Sequence, residues 1–377
     1  VAETRVRSQR GSGPGAGALA GSGKSLSVSG LRKTYAGVVA VDEVSMEIEA
    51  GEFVTFLGSS GSGKTTTLMM IAGFVEPDSG VIKVGRRDVT RLAPQKRGLG
   101  FVFQQYLLFP HMTVAENIAF PLQLRGLSKA EVRRQVGQVL EMAGLEGYGR
   151  RRPRELSGGQ QQRVALCRAL VYRPPVILMD EPLGALDKKL RDQLQTEIKK
   201  IQRELGLTVI YVTHDQEEAL VLSDRIAVMR DGLIDQFDTP RELFERPRTA
   251  FVADFLGAAN FLPGRLENHT DEHSLVRLDH GALVRARPHP LAPGHRVRAA
   301  VQPGRLGLCA PADGFCTGTV ETVTYVGTLV RVGVRPAGAE SPIRLELPAG
   351  RAPVTGEQVG LTADPGDVTL FGDEEGR

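Results

Sequence analysis

From residue 25 onward the spacing of apolar and polar positions changes several times, and each change predicts a different element. Val44, Met46 and Ile48 alternate with Ser45, Glu47 and Glu49. A period of two marks a strand with one buried face, so residues 25–50 read as antiparallel β structure. Phe53-Val54-Thr55-Phe56-Leu57 is a short apolar strand, and Thr66-Thr67-Leu68-Met69-Met70-Ile71-Ala72 continues as a mostly apolar helix. Val81-Ile82-Lys83-Val84 with Gly85 predicts a further strand and hairpin. From about 105 to 170 the period becomes helical. Ser128 and Glu131 form a capping-box pattern ahead of Val132, Val136, Val139 and Leu140, which share one helical face. The continuous apolar runs Val176–Met179 and Val209–Val212 suit strands buried on both faces of a parallel sheet, and Ile226–Met229 begins a last pair of strands.

Beyond about 257 glycine and proline punctuate short alternating runs, such as "IRLEL" (343–347) and "VGLTADPGDVTLF" (359–371). Small strands in this rhythm predict an all-β module such as a barrel. The chain therefore divides into residues 1–24, a Gly/Ser/Ala-rich flexible tail; 25–256, an α/β nucleotide-binding core with a helical insertion at about 105–170; and 257–377, the β module.

Gly-Ser-Gly-Lys-Ser/Thr occurs twice, in "GSGKS" (21–25) and "GSSGSGKTT" (58–66). A phosphate-cradling loop needs a glycine, four residues and then Gly-Lys-Ser/Thr, between a strand and a helix. Its backbone N–H groups curl round phosphate oxygens, and the helix N-terminus adds the positive end of its dipole. The second copy meets every requirement: Gly58, Ser59, Ser60, Gly61, Ser62, Gly63, Lys64, Thr65 and Thr66 lie between the apolar strand and the apolar helix. The first copy does not. Ala18 stands where its leading glycine belongs, and "SLSVSGLRKTYAG" after it reads as a strand.

"VILMDEP" (176–182) ends an apolar strand in two carboxylates. Asp180 suits a Mg²⁺ held through water while Thr65 ligates it, and Glu181 suits an attacking water. "LSGGQQQR" (156–163) sets Ser157, Gly158, Gly159 and Gln160 ahead of a helix, a second anion site that one nucleotide does not need unless two sites face each other across a dimer.

Together, the phosphate loop, "LSGGQ", "LMDEP", "LGALD" (183–187) and "VTHD" (212–215) resemble, in order and spacing, the ABC-transporter ATPase family over nearly the whole chain from residue 26. The resemblance implies a P-loop NTPase core with antiparallel β and helical subdomains, followed by an OB-like module of TOBE type. It also implies binding of ATP with Mg²⁺. By the same resemblance Tyr35 stacks on adenine, Gln104 (next to Gln105) senses Mg²⁺ and the attacking water, Asp187 lies at the dimer seam, and His214 contacts the γ-phosphate. The family's head-to-tail dimer, formed by two copies or with a paralogous ATPase, has Ser157 and Gly159 of one subunit complete the site of the other. Without the resemblance, Tyr35 is a strand surface residue and His214 a solvated loop histidine.

"YLLFPHMTVAENIAFPL" (106–122) resembles the surface on which importer ATPases receive a permease helix. Its residues Leu107, Leu108 and Phe109 suit a groove, with the core of the helical subdomain as the lesser alternative. "GAANFLPG" (257–264) and "VQPGRLGL" (301–308) resemble the OB-like module of bacterial solute importers, although Gln302-Pro303-Gly304 stands where Arg-Pro-Glu is more usual. Importers of this layout carry polyamines, sugars, ferric iron, sulfate, opines or phosphonates. "GKTTTLMMIAGF" (63–74) and "LDKKLRDQLQTEIKKIQRELG" (186–206) look most like the spermidine/putrescine branch. That implies work at the cytoplasmic face of the membrane with transmembrane permeases and, indirectly, a solute-binding protein.

Composition narrows the alternatives. Net charge is +3 from 47 basic and 44 acidic residues, too balanced to argue for nucleic acid. Three cysteines, Cys167, Cys309 and Cys316, show no metal spacing and fit a reducing compartment. No apolar run approaches the roughly 20 residues that cross a bilayer, so the protein reads as soluble, and residues 1–24 are too glycine-rich for a signal peptide. His269, His273, His280, His289 and His295 fall in strands and turns without an ordered third ligand and read as solvated. A soluble ABC ATPase acting on ribosomes or DNA would carry two cassettes or a long coiled coil. A module that holds ATP without hydrolysing it would not need both Glu181 and His214.

Overall fold

Alternation builds the first sheet. β1 (Leu26–Tyr35) pairs antiparallel with β2 (Val38–Ile48), with Leu26 opposite Ile48 and Tyr35 opposite Val38. Val44, Met46 and Ile48 are buried while Ser45, Glu47 and Glu49 face outward, as the period of two requires. The computed structural model describes residues 23–184 and 186–372; the predicted tail, apart from Gly23 and Lys24, lies outside them. Those two residues are fixed in place. Gly23 N–H donates to Gly206 O at 3.1 Å, Lys24 N–H to Pro175 O at 3.1 Å, and Thr208 Oγ1 to Lys24 O at 2.8 Å.

β3 (Phe53–Leu57) is buried at every position. It opens a mostly parallel sheet and is followed by β4 (Ser79–Val84), β5 (Arg87–Asp88), β6 (Gly100–Val102), β7 (Val176–Asp180), β8 (Thr208–Thr213), β9 (Arg225–Arg230) and β10 (Leu233–Asp238). The sheets run in the orders β2-β1-β4-β5 and β10-β9-β3-β8-β7-β6. β7 and β8, like β3, are buried throughout, which is why they read as unbroken apolar runs rather than alternating ones.

Three helices make the insertion: α3 (Val114–Gln123), α4 (Lys129–Met142) and α5 (Gly158–Leu170), numbered after α1 (Lys64–Ala72) and α2 (Pro94–Arg97). Val114, Ile118, Val136, Leu140, Val164 and Cys167 share their core. Burial pushes the Cys167 thiol up to about 12, so it stays protonated. Only half of the box expected at Ser128 forms. Its side chain accepts from Glu131 N–H at 3.3 Å, but the Glu131 carboxylate turns to Arg134 and Gln135, which hold its pKa down at about 2. Complete boxes stand at Thr113/Glu116 and Ser157/Gln160. α6 (Lys188–Leu205) and α7 (Gln216–Leu222) complete the helices of this unit.

The described residues cluster into two compact units that divide between Ile234 and Asp235, ahead of the compositional change near 257. In the second, α8 (Pro240–Glu245) and α9 (Ala250–Gly257) precede ten strands: β11 (Asn260–His269), β12 (Ser274–Leu278), β13 (Leu283–Ala286), β14 (Arg296–Val301), β15 (Leu306–Cys309), β16 (Cys316–Val326), β17 (Leu329–Pro336), β18 (Ile343–Pro348), β19 (Gln358–Ala363) and β20 (Val368–Gly372). They form two five-stranded antiparallel sheets, β13-β12-β11-β14-β20 and β15-β19-β16-β17-β18. Both sheets feed one core, with Leu266, Val276 and Val297 from the first beside Val320, Val332 and Leu345 from the second. His269 ends β11 and His273 precedes β12, so their spacing is that of a hairpin and not of a helix face.

Candidate nucleotide site

Register decides where the chemistry collects. β3 runs parallel to β8 with Leu57 level with Thr213, β8 parallel to β7 with Val212 level with Asp180, and β7 parallel to β6 with Met179 level with Val102. The segments leaving the C-terminal ends of these four strands therefore emerge side by side: Gly58 onward, His214 onward, Glu181 onward and Phe103 onward. The C-terminal edge of a parallel sheet is where an α/β protein builds its ligand crevice.

The loop after β3 depends on its glycines. Gly61 and Gly63 have φ of 83° and 95°, a region open to glycine at little cost. A side chain on Gly63 would also meet Ala40 O at 2.6 Å, and one on Gly58 would collide with Met229 O. Lys64, the first residue of α1, is buried. Its ammonium donates to Gly58 O at 2.9 Å and to Ser59 O at 2.7 Å, so the cation sits inside the loop's own curl. Burial lowers the Lys64 pKa, while the nearby Glu181 and Asp180 carboxylates raise it.

Thr65 Oγ1 donates to Asp180 Oδ1 at 3.1 Å, joining the start of α1 to the end of β7. Burial raises the pKa of Asp180, with the Thr65 hydrogen bond working in the opposite direction. Glu181 follows in a left-handed conformation, φ 42°, rare for a residue with a side chain, and its N–H donates to Val212 O at 3.0 Å. Gln104 Nε2 donates to Glu181 Oε2 at 3.2 Å, and His214 Nδ1 lies 3.2 Å from Glu181 Oε1. Three loops thus meet on one carboxylate.

A cleft of about 730 Å³ is lined by Tyr35, Ala40, Ser59–Thr66, Glu181 and His214. Tyr35, drawn from the antiparallel sheet, is half exposed at its mouth. Ser157, Gly158, Gly159, Gln160 and Asp187 are not among its lining residues. Ser157 and Gln160 cap α5 reciprocally, Gly159 packs so closely on Leu190 that a side chain would meet it at 3.0 Å, and Asp187 caps α6 through Leu190 N–H at 3.0 Å.

Sequence reasoning missed two buried groups. Arg97 is almost fully enclosed and donates to Met70 O and Ile71 O, each at 2.7 Å, neutralising the C-terminal end of α1. Glu218 lies under the His214 loop, where its Oε2 accepts from Tyr211 OH and Thr213 Oγ1, both at 2.8 Å. The spacing Asp215-x-x-Glu218 signals a helix start, but nothing in it announces a buried carboxylate.

Comparison with known proteins decides the family. The ABC transporter family model matches residues 41–184, and the TOBE domain model residues 299–371. The spermidine/putrescine import ATP-binding protein of Thermobifida fusca is 47% identical over 320 residues, covering 82% of this chain and 83% of its own. The chain belongs to the ABC transporter import ATP-binding proteins. The Fe(3+) ions import ATP-binding protein of Agrobacterium fabrum is likewise 47% identical, over 298 residues that cover 79% of this chain and 84% of its own. Among solved structures, a dimeric ATP-binding cassette in a post-hydrolysis state bound to ADP and Pi aligns at 36% identity and TM-score 0.52, over 57% of this chain and 99% of that one. An ABC transporter component from Clostridium perfringens aligns at 30% identity and TM-score 0.55, over 59% of this chain and 90% of that one. As an ABC import ATPase the chain binds ATP and hydrolyses it. The matched family segment stops at residue 184, so Asp187 and His214 lie beyond it, as Tyr35 lies before it. No helix among the described residues is long and apolar enough to cross a membrane.

Proposed function

We propose that this import ATPase drives polyamine uptake, and that the convergence of Gln104 and His214 on Glu181 beside the Lys64 loop carries its chemistry. Lys64 and the loop amides hold the β- and γ-phosphates, and Tyr35 stacks on the base. Thr65 and Asp180 offer hard oxygen donors 3.1 Å apart, a set that would hold Mg²⁺ together with Gln104. When bound, Mg²⁺ neutralises developing charge on the phosphates. Glu181 accepts the proton of the attacking water, His214 holds the γ-phosphate side of the cleft, and Gln104 orients the Glu181 carboxylate.

Two subunits, identical or paralogous, join head to tail, so that Ser157, Gly158, Gly159 and Gln160 of one close on the nucleotide of the other and Asp187 lines the seam. Ser157 and Gly158 are exposed at the start of α5, and a capped helix N-terminus is suited to a phosphate. The permease contact is the groove of about 390 Å³ lined by residues including Phe101, Phe103, Leu107, Phe109, Phe120 and Tyr172. Leu107 is half exposed, and Arg168 fastens the loop from behind by donating to Leu107 O at 2.7 Å and Tyr106 O at 2.8 Å. An apolar helix from a membrane partner would cover it, which stations the protein at the cytoplasmic face of the membrane.

The test is uptake of labelled putrescine and spermidine by cells lacking their own importer ATPase and supplied with this chain and its permeases. Uptake that disappears with Glu181→Gln is expected. Labelled ferric iron taken up in place of polyamine would assign the other solute that the relatives name.

A further inference from the structure

Arg191 stands one helical turn beyond Asp187 on α6, and its guanidinium reaches into two segments of the nucleotide site at once. Nη2 donates to Leu186 O at 3.0 Å, holding the backbone just ahead of Asp187. Nη1 donates to Asp215 Oδ2 at 2.8 Å, next in sequence to His214. Nε lies 3.6 Å from Oε1 of buried Glu218. The other oxygen of Glu218 takes the Tyr211 and Thr213 hydroxyls, and Thr213 Oγ1 in turn accepts Asp215 N–H at 3.0 Å. The strand end that leads into His214 is thus tied, through one planar cation, to the segment that carries Asp187.

We infer that Arg191 is a positioning residue that couples the Asp187 segment to His214, so that closure at the subunit seam and alignment of His214 over the γ-phosphate occur together. The inference rests on the proposed seam role of Asp187 and the proposed γ-phosphate role of His214. A guanidinium suits this task because it presents several donors in a fixed plane, whereas a lysine ammonium has no fork with which to hold two segments in register. Glu218 adds an ion pair on a third side of the same cation.

The experiment measures ATP turnover against ATP concentration, nucleotide affinity of the monomer and thermal midpoint for wild type, Arg191→Ala, Arg191→Lys, Asp215→Asn and the double variant Arg191→Ala/Asp215→Asn. For Arg191→Ala a fall in kcat of roughly tenfold is expected, with monomer ATP affinity unchanged and the dependence of rate on ATP less steep. Arg191→Lys should keep the wild-type thermal midpoint yet not recover kcat, and the double variant should be no slower than Arg191→Ala. Should Arg191→Ala fail to fold, the lysine variant decides alone. Full kcat in Arg191→Lys, or losses in the double variant that add, would overturn the coupling. His214→Ala and Asp187→Ala, run alongside, test the parent reading separately: both should lose turnover whether or not Arg191 couples anything, and wild-type turnover in either would remove the reading on which the inference rests.

Discussion

Gly23-Lys24-Ser25 and Gly63-Lys64-Thr65 are nearly the same words, and the fold uses them in opposite ways. Gly63 turns with φ 95° into a helix start and sends Lys64 inward among loop carbonyls. Gly23 leads into a strand, and Lys24 is exposed while its backbone bonds to Pro175 and Thr208. Both glycines are required, for different reasons. A side chain at Gly63 would enter the phosphate loop's wall at Ala40, and one at Gly23 would strike Gly206 O at 2.5 Å. What suits the second stretch to a nucleotide is its position at the C-terminal end of a central parallel strand, on the edge where β8, β7 and β6 also end and deliver His214, Glu181 and Gln104.

The largest expected contrast is between the two lysines. Lys64→Ala should weaken ATP binding by roughly tenfold or more, the scale of a lost charge-assisted contact, and Lys24→Ala should leave it unchanged; equilibrium titration with a fluorescent ATP analogue distinguishes them. A loss of affinity in Lys24→Ala would break the comparison. Next in size, Gly23→Ala should cost about 1–3 kcal/mol of stability through overpacking against Gly206 and Thr208, with ATP affinity of the folded protein retained. Chemical denaturation and titration, measured on the same sample, separate these effects.

A smaller effect sharpens the contrast at the carboxylate that the second stretch faces. Burial raises the pKa of Asp180, so its charged form opposes folding. Asp180→Asn should therefore raise stability by about 0.5–2 kcal/mol near neutral pH while turnover is lost. As the pH falls through the raised pKa of Asp180, the wild type gains a proton that its unfolded chain takes up only at lower pH, so its relative stability improves and the gap to the variant narrows. Thermal scans of both proteins across that range would show the convergence, and a gap that widens on acidification would contradict the sign.

Much of this site was legible because its residues obey local rules. The phosphate loop carries its own spacing, and Val176–Met179 and Val209–Val212 declare buried parallel strands by having no polar face. The two-sheet module was equally readable from alternation in segments such as Ile343–Leu347. Long-range geometry was not. The order β3-β8-β7-β6 lies in no local pattern, so Gln104 and His214 were reached by resemblance. Nothing in the sequence marks Arg97 and Glu218 as buried charges, and only packing shows them enclosed. Glu131 illustrates the converse: its capping pattern is present, but Arg134 and Gln135, within one turn, compete for the same carboxylate and win.

The proposed function requires two half-sites to meet across a dimer, with Glu181 taking the proton of the attacking water and Ser157 closing on the nucleotide. Light scattering of Glu181→Gln with and without ATP, and of Glu181→Gln/Ser157→Arg under the same conditions, tests this most directly. ATP should convert Glu181→Gln from monomer to a long-lived dimer, because nucleotide and phosphate contacts remain while hydrolysis is slowed by roughly a hundredfold or more, and the added Ser157→Arg should abolish that dimer. ATP-dependent dimers that persist unchanged in the double variant would contradict it.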